Sequence, residues 1–245
     1  MSDVADSPDR PDLPDRSGRP VGRRVVLGLL GLGAVGVATG SAVQGWFDDH
    51  LGSAVRASGL GSVVPIDRWR YYTVTGSFPD PPRSGFRLRV SGLVDQPLDL
   101  TLDELEGLPT VQLTRDFQCV TGWRVPDVHW TGVRLRDLLD RAGVRTEGTA
   151  LRFTSFDGDY TESLTLEQGL RDDVLVAHRM GNEPISREHG GPVRLVVAPM
   201  YGYKSVKWLD GVEVTERVRP GYWEVRGYDV DAWVGRSNGR TDPAT

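Results

Sequence analysis

Most of the chemistry this chain can offer rests on one residue, Cys119, the only cysteine among 245 residues. A lone cysteine excludes an intrachain disulfide and any zinc or iron–sulfur centre built from several thiolates. It stands in FQCVTGW, where a β-rich run meets Thr121-Gly122, so the side chain is presented at a strand-to-turn junction. Arg115, Arg124 and the amide N–H groups of the turn would favour a thiolate, which is a nucleophile or a soft metal ligand. The competing reading is a small buried hydrophobe. The four histidines, His50, His129, His178 and His189, show no HExxH or HxxxH spacing, which gives a histidine-built metal site little support.

A second concentration of chemistry is cationic. His189 precedes Gly190-Gly191, Arg194 lies in PVRLVV, and Lys204 and Lys207 lie in GYKSVKW, all within nineteen residues. Taken singly, Arg194 reads as an outward-facing strand residue, the lysines as a solvated strand face and His189 as a turn residue. Taken together, that reading is strained.

The elements that must position these residues are mostly strands. FRLRVSGLV (86–94), TVQLTRDF (110–117), ALRFTSF (150–156), VRLVVAP (193–199), VKWLDGVEV (206–214) and YWEVRGY (222–228) are β-rich or alternating. TLDELEGL (101–108) opens with a capping box, Thr101 and Glu104. VRLRDLLDRAGV (133–144) has helical apolar spacing and stops at Gly143, and LTLEQGL (164–170) predicts a further short turn of helix. Strands without regular helix alternation indicate a mixed, strand-rich α+β domain, and the domain has no GxGxxG or Walker loop.

The composition is that of an ordinary globular protein, 38% hydrophobic and 26% charged, which excludes collagen-like, coiled-coil and wholly disordered readings. A net charge of −5 argues against nucleic acid as a main partner. Residues 1–22 are rich in Asp, Pro, Ser and Arg and read as disordered. Residues 23–43 join Arg23-Arg24 to an uncharged, Gly-rich stretch, which reads as a twin-arginine-like export signal or a signal anchor. Both readings place the folded part outside the cytoplasm, and the anchor adds N-terminal membrane contact. Residues 44–62 read as a linker and 63–245 as the domain.

From about Val63 to Trp233 the chain resembles the molybdopterin domain of the sulfite oxidase superfamily. The resemblance is carried in order by FQCVTGWRVPDVHWTGVRLRDLLDRAGV, FTSFDGDYTESLTLEQGL, HGGPVRLVVAPMYGYKSVKWLDGVEV and GYWEVRGYD. The nearer branch is the exported bacterial members, which include the catalytic subunit of the periplasmic methionine sulfoxide reductase. The resemblance implies a sulfite-oxidase-type fold and a molybdenum held by one pterin dithiolene per chain and one protein thiolate, with Cys119 at the ligand position. It places Thr154, His189, Arg194, Ser205, Val206 and Lys207 on cofactor-contact positions. It also aligns IDRWRYYTV (66–74), with Asp67, Arg70 and Tyr71, with the segment that closes over the cofactor. A soft metal already given two pterin sulfurs needs only one protein thiolate, so a single cysteine suffices.

The departures concern the substrate. Where sulfite oxidases carry an active-site Tyr in a motif like LAYxMNG, this chain reads VAHRMGN, with His178 at the tyrosine's position as a candidate proton donor or acceptor. The family's arginine near the domain start is absent, and Arg124 falls on another anion-binding position. The expectation is oxygen-atom transfer on a small substrate, an S-oxide first and sulfite or a related oxyanion second. The expected partner is a separate electron carrier, a membrane haem protein or quinone-linked subunit, and the expected state is a monomer. A cofactor-free binding or scaffold protein on the same fold is the alternative of another class.

Overall fold

The computed structural model describes residues 69–245. The segments 1–22, 23–43 and 44–62, and the first residues of the domain drawn from 63, lie outside the described residues. In chain order the strands are β1 (Arg87–Gly92), β2 (Leu98–Thr101), β3 (Val111–Gln118), β4 (Arg124–Arg134), β5 (Ala150–Ser155), β6 (Thr161–Thr165), β7 (Val174–Met180), β8 (Glu183–Pro184), β9 (Arg194–Val197) and β10 (Leu209–Thr215). They form two five-stranded sheets, one ordered β2-β1-β10-β5-β6 and one ordered β3-β4-β7-β8 with β9 also on β7. Only β1 and β10 pair in parallel. The α-helices are short: α1 (Leu102–Glu106), α2 (Leu135–Ala142) and α3 (Leu166–Gly169). None of the described helices is long and apolar enough to cross a membrane.

Local rules explain the elements that matched expectation. In β1, Leu88 and Val90 are fully buried while Arg87, Arg89 and Ser91 face outward, the period of two of a half-buried strand. The Thr101 hydroxyl accepts from the Glu104 N–H at 3.2 Å and the Glu104 carboxylate accepts from the Thr101 N–H at 2.8 Å, which completes the capping box of α1. Helix α2 starts at Leu135 rather than 133, because Val133 and Arg134 finish β4, and it ends at Gly143 in the left-handed region.

YWEVRGY and the strands β2, β4, β6, β7 and β8 differ from expectation. YWEVRGY is not a strand: Glu224–Arg226 form a 3₁₀ turn, with Tyr222, Trp223 and Tyr228 packed ring on ring and Glu224 turned inward. Strand β4, eleven residues long, escapes a pattern search because Pro126 and Asp127 interrupt it. A register shift between Arg115 and Phe117 of β3 absorbs the interruption, and the Asp127 N–H is taken up by the Asp116 carboxylate at 3.0 Å.

The core has two parts. The larger, including Leu88, Leu105, Leu138, Phe153, Val176 and Val212, is built around the first sheet, α1 and α2. The smaller lies on the other side of β7, with Trp130, Leu175, Ala177, Ile185 and Val196, and Trp69, Phe117 and Met180 pack on its margin. Within the fold lies a buried charge cluster. Lys204, completely buried, donates through Nζ to Glu162 Oε2 at 2.9 Å, to the Ser163 carbonyl at 2.8 Å and to the Glu224 carboxylate. Burial, resisted by Lys204, pushes the Glu162 carboxyl up to about 8. Replacing Lys204 by Met should cost about 3–5 kcal/mol, the usual consequence of stranding the partners of a buried cation. Denaturant unfolding of the variant at pH 7 checks the loss.

Candidate functional site

The predicted cations do converge, and the segment before the first strand joins them. Arg194, which opens β9, is 2% exposed, and no carboxylate pairs with it among the described residues. Its Nη1 donates to the His189 carbonyl at 2.8 Å and its Nη2 to the Ser205 carbonyl at 3.1 Å. The guanidinium lies over the rings of Phe117 and Trp130, 5.2 and 5.1 Å from their centroids. Trp69 completes an aromatic wall, packing against Phe117, Trp123, Trp130 and the His189 ring. Its only signal in the sequence was the aromatic cluster of IDRWRYYTV.

His189 and Lys207 stand beside this cation. The Tyr71 hydroxyl is 3.2 Å from His189 Nε2, while the buried Nδ1 has no hydrogen-bond partner among the described residues. Burial first, then Arg194 and Lys207, lower His189 to about 4 against a pull from Glu188. The Lys207 ammonium donates to the Tyr72 carbonyl and lies 4.2 Å from the Trp208 ring. A Cβ on Gly190 (φ +94) would come within 2.5 Å of Lys207 Cβ, so only glycine lets the two segments meet so closely. Trp208 is held at φ 51 by bonds from its own N–H to the Gly190 carbonyl and from its indole to the Arg187 carbonyl.

Ser205 and Val206 are both buried and serve the segment's shape. The Ser205 hydroxyl accepts from the Val197 N–H at 3.0 Å, and the Val206 carbonyl accepts from Leu195 at 2.8 Å. Thr154 donates to the Asp210 carboxylate at 2.6 Å. Asp157, three residues on, is the acid whose charge favours the Lys207 ammonium.

Cys119 follows β3 directly and is half-buried. Its N–H donates to the Trp123 carbonyl, its carbonyl accepts from the Gly122 N–H, and its Sγ is 3.2 Å from the Thr121 hydroxyl. The neighbouring cations differ from those expected. Arg115 donates to the Thr114 carbonyl, and Arg124 pairs with Asp116 at 2.9 Å and donates to the carbonyls of Pro243 and Ala244. Burial raises the thiol, and the Thr121 hydroxyl, Arg240 and Arg70 act against it. Among the described residues no three His, Cys, Asp or Glu side chains converge as a metal cage.

His178 is not brought into this group. Its neighbour Ala177 is the register partner of Arg194 and belongs to the smaller core, whereas the His178 ring turns to α1, with Nδ1 3.9 Å from Glu106 Oε1. It is 4% exposed, neither ring nitrogen has a hydrogen-bond partner among the described residues, and burial lowers its pKa, with Glu106 opposing. Asp67 lies outside the described residues. An open groove at the β3 edge, lined by Val111, Leu113, Arg115, Arg134, Arg171 and Asp172, holds none of the cofactor-contact residues.

A buried guanidinium without a carboxylate, a half-buried lysine and a histidine with an orphaned nitrogen define a site short of negative charge. A phosphate supplies that charge, and the single thiol meets a soft metal, so these residues suit a phosphate-bearing, metal-carrying pterin. Residues 75–223 match the family described as "Oxidoreductase molybdopterin binding domain". The chain is 37% identical over 195 residues to "Uncharacterized oxidoreductase YuiH" of Bacillus subtilis, covering 75% of this chain and 96% of that one. It is 30% identical to the sulfite oxidase of Arabidopsis thaliana, over 69% of this chain and 51% of that one. With the protein-methionine-sulfoxide reductase catalytic subunit MsrP of Campylobacter jejuni it is 27% identical, over 57% and 52%. The sulfane dehydrogenase SoxCD from Paracoccus pantotrophus has a matching fold, with TM-score 0.55 and 25% identity over 63% of this chain and 46% of that one. The chain thus spans about half the length of several relatives. Fold and site define a strand-rich molybdopterin-binding oxidoreductase. The chain belongs to the oxidoreductase molybdopterin-binding domain family, alongside sulfite oxidases and sulfoxide reductases.

The cation cluster has a measurable signature. Burial first and Arg194 second lower Lys207 from 10.5 to about 7, with Asp157 opposing. A depressed folded-state pKa means stability present above 10.5 and lost as pH falls through about 7. Without a bound anion, stability should rise with pH between these values. Lys207→Met should flatten that rise, and denaturant midpoints measured across the window check it.

Proposed function

We propose that this chain is an exported oxygen-atom-transfer enzyme that acts on a small S-oxide with one molybdenum-bearing pterin per chain. The observation that carries the proposal is the buried, carboxylate-free Arg194 joined by His189 and Lys207, with Cys119 on the adjoining aromatic margin. Arg194, Lys207 and His189 would take the pterin phosphate, with the Ser205–Lys207 backbone, Thr154, Tyr71 and Arg70 around it. Cys119 would bind the metal as a thiolate, giving up its proton, with the Thr121 hydroxyl placed to donate to the sulfur. When bound, the cofactor supplies a centre that exchanges an oxygen atom and two electrons between water and substrate.

The aromatic wall of Trp69, Phe117 and Trp130 excludes water from the Arg194 side. His178 faces α1, so no proton-transfer role is assigned to it. Support for an S-oxide comes from VAHRMGN, which lacks the phenol of the sulfite oxidases, and from the likeness to MsrP, a sulfoxide reductase by name. A separate redox partner would deliver the electrons. An oxyanion such as sulfite is the second reading, favoured by the charge of Arg70 at Cys119.

Cys119→Ser removes the soft ligand at nearly constant volume. It should keep the fold and lower turnover by more than the roughly 100-fold that loss of a group hydrogen-bonded to a metal ligand costs. Molybdenum analysis, circular dichroism and assays with methionine sulfoxide and with sulfite check this, and wild-type turnover in the Ser variant would sink the assignment. Export rests on Arg23-Arg24. Replacing both by Lys should leave the molybdenum-loaded protein in the cytoplasm, as fractionation would show, whereas continued export would favour a simple signal anchor.

A further inference from the structure

The final segment of the chain folds back onto the turn that carries Cys119, and the contacts there are built rather than incidental. Arg240 bonds both oxygens of Asp242, Nε to Oδ2 at 2.6 Å and Nη2 to Oδ1 at 3.2 Å. Asp242 Oδ2 also accepts from the Tyr201 hydroxyl at 2.8 Å, and that hydroxyl in turn accepts from the Gly235 N–H at 3.1 Å. Tyr201 is fully buried, so the far end of this chain of bonds is fixed in the core. Burial alone would raise the Asp242 carboxyl, but the bonds from Arg240 and Tyr201 outweigh it and hold the group ionised.

The near end bears on Cys119. Gly122 has φ +97, and a Cβ there would lie 3.2 Å from Arg240 Nη2, so the guanidinium rests directly against the turn's glycine. The Gly122 N–H is the one bonded to the Cys119 carbonyl. On the other arm of the turn, Arg124 reaches Pro243 and Ala244 with the distances given above, and the Thr245 hydroxyl donates to the Ala198 carbonyl at 2.8 Å. Arg124, expected from the sequence to meet an anion, is thus occupied with Asp116 and the tail.

We propose that Arg240 is a positioning residue for Cys119: together with Asp242 and Tyr201 it clasps the Cys119–Trp123 turn and holds the thiol in the one orientation from which it can ligate the metal. The proposal rests on the reading of Cys119 as a metal ligand. The clasp acts through the contact of Arg240 with Gly122 and through the carbonyls of Pro243 and Ala244 that Arg124 meets.

The test uses the full chain as purified from a host that makes the cofactor. Three quantities are compared in wild type, Arg240→Met, Arg240→Lys and Asp242→Asn: the rate of Cys119 alkylation by iodoacetamide, the sulfur-to-metal charge-transfer absorption, and the melting temperature. Compared per thiolate, with each variant's thiolate fraction taken from the pH dependence of alkylation because Arg240 also favours the thiolate, Arg240→Met and Asp242→Asn should alkylate about tenfold faster or more, equivalent to about 1.4 kcal/mol of lost ordering. Both should shift the charge-transfer band, with Arg240→Lys restoring part of each effect. Thr245→Val, which frees only the outer hook, controls for loosening of the tail alone and should leave the rate near wild type. Equal alkylation rates and an unshifted band in folded Arg240→Met and Asp242→Asn overturn the clasp. An alkylation rate in Thr245→Val equal to that in Arg240→Met also overturns it, since the effect would then belong to the whole tail. Absence of molybdenum from the wild type would overturn the metal-ligand reading instead, and the alkylation comparison would still decide whether Arg240 orders the thiol.

Discussion

Burying an arginine without a carboxylate is the constraint around which this molecule is arranged. Arg194 is 2% exposed, and burial lowers its pKa to about 9 because the charged form has lost water and gained no counter-ion. What compensates is polar but neutral: three backbone carbonyls, those of His189, Ser205 and Leu195, and the faces of two aromatic rings. Those acceptors dictate geometry. The His189 and Ser205 carbonyls must both point at β9, which brings the Gly190 turn and the Ser205–Lys207 segment to one place, and Phe117 and Trp130 must stand on neighbouring strands of the second sheet.

Lys204, three residues before Lys207, shows what a finished buried charge looks like in the same fold. It is fully buried too, yet Glu162, the Ser163 carbonyl and Glu224 surround it. One cation is saturated and the other is not. The saturated one anchors the 3₁₀ turn Gly202–Lys204 to β6 and to the turn at Glu224, and the backbone leaving that anchor delivers Ser205 to Arg194. A structural ion cluster therefore holds the neighbouring segment still, which on the proposed function would fix the place where Arg194 meets the pterin phosphate. Preorganisation of this kind limits the reorganisation that anion binding would otherwise require.

Much of this was legible in the sequence, and the rest was hidden for identifiable reasons. The strand-rich α+β class, the capped start of α1, the Gly143 stop of α2 and the grouping of His189, Arg194 and Lys207 follow from local patterns or short separations. The outward-facing reading of Arg194 fails because β9 is buried on both faces, a condition no period of two reveals. Lys204 looked like a solvated lysine because its partners lie 42 and 20 residues away. The same distance effect hid the role of Arg124, whose acceptors are 119 and 120 residues on. His178 stands in a family motif, but the direction of its ring, toward α1 while Ala177 faces the smaller core, depends on long-range packing that the motif does not carry.

The division of labour between the two ends of the site also bears on how its charge is used. At the Arg194 end burial first and the Arg194 charge second lower His189 and Lys207, and any bound anion would oppose the repulsion among the three. At the Cys119 end the balance is different: burial opposes the thiolate, and the charges of Arg240 and Arg70 oppose burial. One of those charges is already tied to Asp242, so its field at the sulfur is partly cancelled while its position is fixed. A fold that wanted only a stronger thiolate would have left Arg240 unpaired. Pairing it gives up some electrostatic help in exchange for geometry, which suits a sulfur whose proton is displaced by a metal and whose placement, more than its acidity, decides whether it binds.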